Sequence, residues 1–244
     1  MRLTILGCGD AFGSGGRFNT CFHASTPEGA FLVDCGASAL IAMRRFGVEP
    51  NGVGTVFLTH LHGDHFGGLP WLILDGQLVS RRTAPLRIAG PRGTGARLVA
   101  AMEALYPGSS SVERAFSLEI VEIEPGVPRV VGGVAVTPFA VSHPSGAPSL
   151  GLRIEAGGKV LAYTGDTEWV EALIPLGRHA DLLIAEGYTI ERPVKFHLSW
   201  ATLRERLPEI APRRLLLTHM SPEMIAHDPA GRYEAAEDGM VLEI

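Results

Sequence analysis

The stretch HLHGDH at residues 60–65 carries four side chains that can bind a metal within six positions: His60, His62, Asp64 and His65. It directly follows the apolar run Val53–Leu58, which is typical of a buried β-strand. If the chain stayed extended beyond this strand, the first three of these side chains would point to one side, because side chains alternate along an extended backbone. Gly63 would let the backbone turn, so that His65 would open the next segment from another angle. Since imidazole suits zinc and carboxylate suits harder cations, the stretch predicts a metal centre with ligands for two ions.

The rest of the chain alternates strand-like apolar runs with helical periodicity, which predicts an α/β protein with sheets covered by helices. Helices are predicted over Ser38–Phe46, Thr94–Leu105 and Ser199–Leu207, and glycine pairs at 132–133 and 157–158 predict hairpin turns. The strand-like runs are Leu3–Leu6, Asn19–Ser25, Ala30–Val33, Val53–Leu58, Leu86–Ala89, Ser117–Ile123, Val134–Val141, Ser149–Glu155, Lys159–Tyr163, Asp181–Ala185, Arg214–Leu217 and Met240–Ile244. No long polar or low-complexity linker divides the 244 residues, so residues 1–244 are predicted to form one domain.

Two of the apolar runs end in the same three residues, Leu-Thr-His, within Val56–His60 and Leu215–His219. Two half-domains of similar build, each delivering a histidine from the end of a strand, would explain this echo. Five residues can also match by chance, and the sequence leaves both explanations open.

The HLHGDH stretch resembles the H-x-H-x-D-H signature of the metallo-β-lactamase superfamily. Its longer context, THLHGDHFGGLP at residues 59–70, is most similar to the ribonuclease Z-like branch and its phosphodiesterase relatives. The resemblance extends from the opening Leu3–Gly7 to the last strand. It implies a four-layered αββα sandwich, with the site at the edge where the loops of the two sheets meet.

The resemblance further implies a lone histidine, an aspartate and a second histidine, each after a strand. The sequence supplies them in that order: His143, Asp166 and His219. Taken singly each is a weak signal, because a lone histidine is often solvated and an aspartate after glycine often forms a turn. By the resemblance, one ion is bound by His60, His62 and His143, and the other by Asp64, His65 and His219. Asp166 would bridge the two ions, which are zinc or alternatively manganese.

The same resemblance implies a binuclear metallohydrolase in which a water between two dications is deprotonated near neutral pH and attacks the substrate. Asp64 would accept a hydrogen bond from that water while it binds metal. Two carboxylates and one hydroxide against four positive charges would leave the centre cationic, which favours an anionic substrate such as a phosphodiester.

The resemblance to ribonuclease Z-like proteins also implies a further histidine that is paired with an upstream glutamate. On that pattern, proton transfer to the leaving group is assigned to His197, which precedes the predicted helix Ser199–Leu207. Glu186, at the end of a strand-like run, would orient this histidine and favour its protonated form. The resemblance carries threonine where this chain has Ser199, a mild departure. The alternative is that Ser199 only caps the helix and that His197 is a surface residue.

The glycine-rich segment 7–16 does not fit a dinucleotide fingerprint, because Phe12 stands where the third glycine belongs and the following residues are strand-like. The segment is predicted to be a loop bordering the metal site. Five residues are candidates for the cavity walls: Trp71, Arg81, Arg82, Tyr188 and Trp200.

The expected substrate is a small or short phosphodiester of nucleotide type. Ribonuclease Z carries a tRNA-gripping arm between the third-motif histidine and the bridging aspartate, whereas only residues 144–165 lie between His143 and Asp166 here. A net charge of −5 and a pI near 6.0 also do not favour nucleic-acid binding through phosphate contacts. Three alternatives stay open: a tRNA 3′-processing endonuclease, a thioester or lactone hydrolase, and a non-catalytic metal-bearing binding protein.

A cytoplasmic location is expected, because the three cysteines lack paired spacing and the chain starts without the pattern of a signal peptide. No apolar run approaches the ~18 residues of a membrane span, so no membrane partner is expected. A homodimer is expected from the resemblance alone.

Overall fold

Two seven-stranded sheets form the structure, a computed structural model that describes residues 1–227 and 233–244. The first sheet has the order β14-β1-β2-β3-β4-β5-β6. Its strands are β1 (Arg2–Gly7), β2 (Cys21–Thr26), β3 (Gly29–Val33), β4 (Val53–Phe57), β5 (Leu86–Gly90), β6 (Leu118–Glu122) and β14 (Val241–Glu243). The second sheet has the order β13-β12-β11-β10-β9-β8-β7. Its strands are β7 (Arg129–Val131), β8 (Val134–Ala140), β9 (Leu150–Ala156), β10 (Lys159–Tyr163), β11 (Leu182–Glu186), β12 (Leu215–Thr218) and β13 (Glu234–Ala235).

Helices cover the outer faces of both sheets. They are α1 (Ala39–Arg45), α2 (Gly63–Phe66), α3 (Leu69–Leu78), α4 (Thr94–Leu105), α5 (Leu173–Gly177), α6 (Trp200–Ile210) and α7 (Pro222–Ala226). The alternation along β11 shows how the layers arise, because Leu182 and Ile184 pack between the sheets while Leu183 and Ala185 pack against helices. One apolar cluster therefore fills the space between the sheets, and two more lie under the outer helices. The predicted α/β class and four-layered αββα sandwich are confirmed.

The two sheets share one pattern of strand directions. Counting from β14 in the first sheet and from β7 in the second, three antiparallel pairings are followed by three parallel pairings. By this count β4 of the first sheet corresponds to β11 of the second. The Leu-Thr-His echo instead joins β4 to β12, which occupy different positions in their sheets. Two halves of similar build are therefore present, but the short sequence echo does not relate equivalent strands.

No helix in residues 1–227 or 233–244 is both long enough and apolar enough to cross a membrane.

Glycines allow the loops after β3 and β4 to touch backbone to backbone. The amide of Cys35 donates to the carbonyl of His65 at 2.7 Å, and the amide of Gly68 donates to the carbonyl of Cys35 at 2.8 Å. A Cβ atom at Gly36 would lie 2.2 Å from the carbonyl oxygen of Asp64 and 2.5 Å from the Cβ of Asn19. Since real Cβ atoms do not approach other atoms so closely, residue 36 must be glycine for Asp64 to keep its place.

We expect Gly36→Ala to lower the free energy of unfolding by about 1–3 kcal/mol, because the added methyl group forces the backbone at Asp64 to move. The same shift should reduce the metal bound per chain, measured by elemental analysis of the purified protein. Gly95→Ala in α4 is the matched control, since its Cβ would meet Ile120 at an ordinary 3.7 Å. That change should stabilise the protein by about 0.5–1 kcal/mol. Full metal content and unchanged stability in Gly36→Ala would contradict the argument.

Candidate metal centre

Side chains from the carboxyl ends of several strands meet at one edge of the sandwich. Strands β8, β10 and β12 run in the same direction, because β8 and β10 are both antiparallel to β9 and β10 to β12 are linked by parallel pairings. The residues that follow them are His143, Asp166 and His219. In the first sheet, His60 follows the end of β4. The structure therefore brings together residues that are up to 159 positions apart in the sequence.

The HLHGDH stretch does not stay extended through Asp64. Helix α2 begins at Gly63, with His62 as its N-terminal flanking residue, so that Asp64 and His65 lie within the first turn of a helix. The prediction that alternation along a strand orients Asp64 is therefore wrong. The helical turn instead places Asp64 and His65 against a second set of ligands from the other sheet.

A first group of possible ligands consists of His60, His62 and His143, whose donor atoms all lie within 4.8 Å of one another. The Nε2 atom of His143 is 3.1 Å from the Nδ1 atom of His62. The His60 ring lies 4.9 Å from that of His62 and 5.0 Å from that of His143, centroid to centroid. Three imidazoles thus face one point.

A second group consists of Asp64, His65, Asp166 and His219. The Nε2 atoms of His65 and His219 each lie 3.3 Å from Oδ2 of Asp64. The same two nitrogens each lie 3.3 Å from a carboxylate oxygen of Asp166. Donors around a tetrahedral zinc ion with bonds of about 2.0–2.1 Å are separated by about 3.3–3.4 Å, so the second group has suitable spacing.

Asp166 lies between the two groups. Its Oδ2 is 3.8 Å from Nε2 of His60 and 3.9 Å from Nε2 of His143, in addition to its contacts with the second group. This is the placement that a bridging carboxylate requires.

The chemistry of these atoms fits metal ions. Three donor atoms of the centre are buried and have no hydrogen-bond partner within the described residues: Nε2 of His60, Nε2 of His65 and Oδ1 of Asp166. Buried polar atoms without partners are costly, and a metal ion would satisfy all three. Burial and the neighbouring His65 lower the pKa of His60 well below its usual value, which leaves the neutral imidazole that a metal needs.

The clustered carboxylates strongly stabilise positive charge at the centre. Burial by itself lowers the pKa of His219, but three neighbouring carboxylates outweigh burial and raise that pKa to about 10. Burial opposes ionisation of Asp64, yet His65 and His219 hold its pKa well below the usual range. When no metal is bound, protons supply this positive charge, and dications would replace them.

Asp34 supports the centre from behind, and the sequence analysis did not identify it. It is fully buried at the end of β3, where its carboxylate accepts hydrogen bonds from Nδ1 of His65 at 2.7 Å and from both the amide and the hydroxyl of Thr59 at 2.8 Å. The hydroxyl of Thr59 is also 3.0 Å from Nδ1 of His60. Like Asp166, Asp34 follows a buried strand, but an aspartate in that position is a weak signal by itself.

Three of the six side-chain-bearing residues with positive φ in the described part of the chain lie in this region. Asp34, Phe196 and His219 adopt positive φ angles of 57°, 68° and 56°, which side-chain-bearing residues rarely do. The carbonyl of Phe196 accepts a hydrogen bond from Nδ1 of His143 at 3.1 Å. Strained residues persist only where the surroundings hold them, and they are frequent at functional sites.

His197 and Glu186 form a pair next to the metal ligands. Nδ1 of His197 is 2.5 Å from Oε1 of the fully buried Glu186, whose other oxygen accepts the amides of Thr167 and Leu198. Burial lowers the pKa of His197, but the hydrogen bond to Glu186 and the charges of Glu186 and Asp166 together outweigh burial and raise it. Oε1 of Glu186 also lies 3.4 Å from Nδ1 of His219, so its charge acts on two histidines, whereas the sequence indicated only one.

Two further features bear on the role of His197. Asp166, Glu186, His197 and His219 form a third group with donor spacing suited to a metal, so His197 is a candidate ligand as well as a candidate proton donor. The hydroxyl of Ser199 accepts the amide of Thr202 at 3.2 Å and thus caps α6.

A cavity of about 200 Å³ opens onto the centre. Besides the ligands and His197, it is lined by Asp10, Ala11, Phe12 and Tyr188, so the glycine-rich segment borders the site as predicted. Of the five wall candidates only Tyr188 lines this cavity. Arg82 instead is buried and donates to backbone carbonyls, including those of Pro50 and Val53. The other three do not line the cavity; Trp200 packs in the core under α6, Trp71 donates to the hydroxyl of Tyr106, and Arg81 lies beside Arg82 in the chain.

Comparisons with known proteins agree with this fold. The short form of human tRNase Z has 25% sequence identity and a TM-score of 0.79, and the match covers 100% of this chain and 99% of that one. A diphosphatase of the PhnP family has 18% identity and a TM-score of 0.77, with 100% and 97% covered. The chain is therefore a protein of the metallo-β-lactamase fold, as predicted.

The sequence comparisons place the chain in a particular family. Residues 1–240 match the family described as Anti-Pycsar protein Apyc1, and the chain belongs to that family. An uncharacterized protein of Mycobacterium leprae is 30% identical over 253 residues, which cover 99% of this chain and 85% of that protein. The predicted membership of the metallo-β-lactamase superfamily, in its ribonuclease Z-like and phosphodiesterase branch, is confirmed.

We expect Asp34→Asn to weaken metal binding by about 10–100-fold, because asparagine is neutral and replaces one of the two accepting oxygens by an NH₂ donor. It therefore cannot accept all three hydrogen bonds from Thr59 and His65 that hold His65 in place. Competition with a chelator of known affinity measures the change. Asp181→Asn is the matched control, since Asp181 also accepts a backbone amide, that of Val160, but lies at the amino end of β11, away from the centre. Equal metal affinities for Asp34→Asn and the unaltered protein would rule out this role for Asp34.

Proposed function

We propose that this protein is a binuclear metallohydrolase that acts on small or short phosphodiesters of nucleotide type. The observation that carries the proposal is the placement of Asp166 between two sets of metal donors, with the His197–Glu186 pair beside them at the same cavity. The ligand roles are those expected from the sequence: His60, His62 and His143 for one ion, Asp64, His65 and His219 for the other, and Asp166 for both. The imidazole-rich donor set favours zinc, with manganese as the alternative.

Two bound dications would supply a hydroxide at neutral pH and would stabilise negative charge on the phosphate oxygens. Asp64 lines the cavity and is 8% exposed, so its carboxylate can accept a hydrogen bond from the attacking water. The histidines, held by hydrogen bonds from behind, keep these groups fixed while charge develops.

His197 is assigned as the general acid for the leaving oxygen. Its Nδ1 faces Glu186, which leaves Nε2 free to face the cavity, where the ring is partly exposed between Tyr188 and His143. Glu186 is a positioning residue that favours the protonated ring, and its buried carboxylate is itself fixed by two backbone amides.

The segment between His143 and Asp166 supports a small substrate over tRNA. Strands β9 and β10 and their short turn occupy most of residues 144–165, and this segment contains no arm. A second candidate, a tRNA 3′-processing endonuclease, is favoured by the similarity to human tRNase Z over the whole chain. The diphosphatase of the PhnP family supports phosphoester chemistry on smaller molecules.

A three-substrate assay tests the proposal. The metal-loaded protein should hydrolyse bis(p-nitrophenyl) phosphate, and it should leave a model thioester and a precursor tRNA intact. The matched control is Asp166→Asn, which removes one of the charges that the two metal groups share and should abolish hydrolysis. Cleavage of the precursor tRNA would establish the second candidate instead. Thioester hydrolysis alone would make the protein an acyl hydrolase, and no hydrolysis of any substrate would indicate a binding protein.

The general-acid role predicts that the effect of His197→Ala depends on the leaving group. With an alkoxide leaving group, kcat should fall by about 10²–10⁴-fold, because the proton donor is lost. With p-nitrophenolate, which leaves without a proton, kcat should change much less, and the metal content should be unchanged.

His179→Asn serves as the control, since His179 is exposed and asparagine tolerates its positive φ of 53°. An equal loss with both leaving groups would refute the acid role. A fall in metal content would instead make His197 a ligand.

A further inference from the structure

Phe12 is the most exposed large apolar side chain in the described part of the protein, at 83%, and it stands at the cavity of the metal centre. A side chain so exposed contributes almost nothing to the core. Because Phe12 lines the cavity, its ring is available for contact with a ligand there.

The loop that carries Phe12 is held in one conformation. The buried carboxylate of Asp10 accepts the amide of Phe12 at 3.1 Å, the amide of Ser14 at 2.9 Å and the hydroxyl of Ser14 at 2.6 Å. The side-chain amide of Asn19 donates to the carbonyl of Asp10 at 3.2 Å. The backbone that carries the aromatic ring is therefore already ordered, so ligand binding loses little further conformational entropy there.

The same loop is fixed relative to the metal ligands. The carbonyl of Cys8 accepts the backbone amide of His219 at 3.0 Å and the hydroxyl of Thr218 at 3.3 Å. On its other side, a Cβ at Gly15 would lie 3.2 Å from Ile225 of α7, so the loop also packs closely on that helix. Phe12 thus keeps a constant position with respect to His219.

The cavity is too small for a whole nucleotide. Its volume of about 200 Å³ is below the ~300 Å³ at which ligand pockets begin. A phosphodiester at the metal donors would therefore leave its attached group at the rim. Tyr188 already packs on the ring of His197, with centroids 4.6 Å apart, whereas Phe12 has no aromatic neighbour among the residues described.

We propose that Phe12 is a stacking platform for the nucleobase of the substrate and so determines specificity for nucleoside diesters over simple ones. This inference rests on the proposed phosphodiesterase function and names the part of the substrate that lies outside the metal centre. Stacking tolerates every base, since each has a π-face, so Phe12 would select for a base without selecting among bases.

Two diesters with the same leaving group test the inference: thymidine 5′-(p-nitrophenyl phosphate) and methyl p-nitrophenyl phosphate. Phe12→Ala should raise KM for the nucleoside diester by about 5- to 150-fold, the range of one base–aromatic stack, with little change in kcat. For the methyl diester both constants should stay as in the unaltered protein. Phe12→Tyr should behave as the unaltered protein, and Val130→Ala, an exposed apolar residue on β7, is the matched surface control.

Calorimetric binding of thymidine 5′-monophosphate provides a readout besides hydrolysis. Phe12→Ala should weaken this binding and leave the binding of methyl phosphate unaltered. If the unaltered protein hydrolyses neither diester, the proposed function fails and the binding measurement alone decides the role of Phe12. If Phe12→Ala binds thymidine 5′-monophosphate as tightly as the unaltered protein does, the inference is overturned. A changed association state in sedimentation would also overturn it, because that result would assign Phe12 to contact with a second copy.

Discussion

Four buried carboxylates at one edge of the sandwich impose the electrostatic condition on which the rest of the site depends. Asp34 and Glu186 are fully buried, and Asp64 and Asp166 are 8% and 2% exposed. Burying charge is costly unless it is compensated, so four clustered carboxylates require positive charge nearby. Two dications would supply such charge to Asp64 and Asp166, while the protonated ring of His197 partly balances Glu186.

The fold brings these carboxylates together by holding a few residues in strained backbone conformations and by placing glycine where two loops touch. His219 and Asp34 have positive φ angles, and each lies immediately after a buried strand, β12 and β3 respectively. Gly36 and Gly68 let the loops after β3 and β4 approach each other so closely that a Cβ at either position would lie within 2.5 Å of a backbone oxygen. Such strain is tolerated because the strands that carry these loops are buried on both faces.

Sequence reasoning was most successful where residue type and position both carry information. The seven metal donors are of chemically specific types and follow apolar runs, and the structure brings all seven together. Helix α4 matches its predicted range Thr94–Leu105, because its apolar face is periodic. Helix α3 was missed, since LPWLILDGQL is apolar on most sides and shows no period. Asp34 was missed because a single aspartate after a strand usually indicates a turn, and only its distance to His65 reveals its role.

Most of the residues proposed for the cavity walls were wrong, because packing decides which way a side chain points and the sequence does not show it. Arg82 satisfies backbone carbonyls inside the first half, and Trp200 packs against Tyr233, so neither side chain is available to the cavity. The glycine-rich segment acquires its place through a contact between the halves, in which the chain leaving β1 hydrogen-bonds to the end of β12 at Cys8 and His219. One wall of the cavity and one of its metal ligands are thereby fixed to each other across the two sheets. A cavity of this shape therefore exists only when the apolar cluster between the sheets is packed, so its geometry depends on the same interface that holds the fold together.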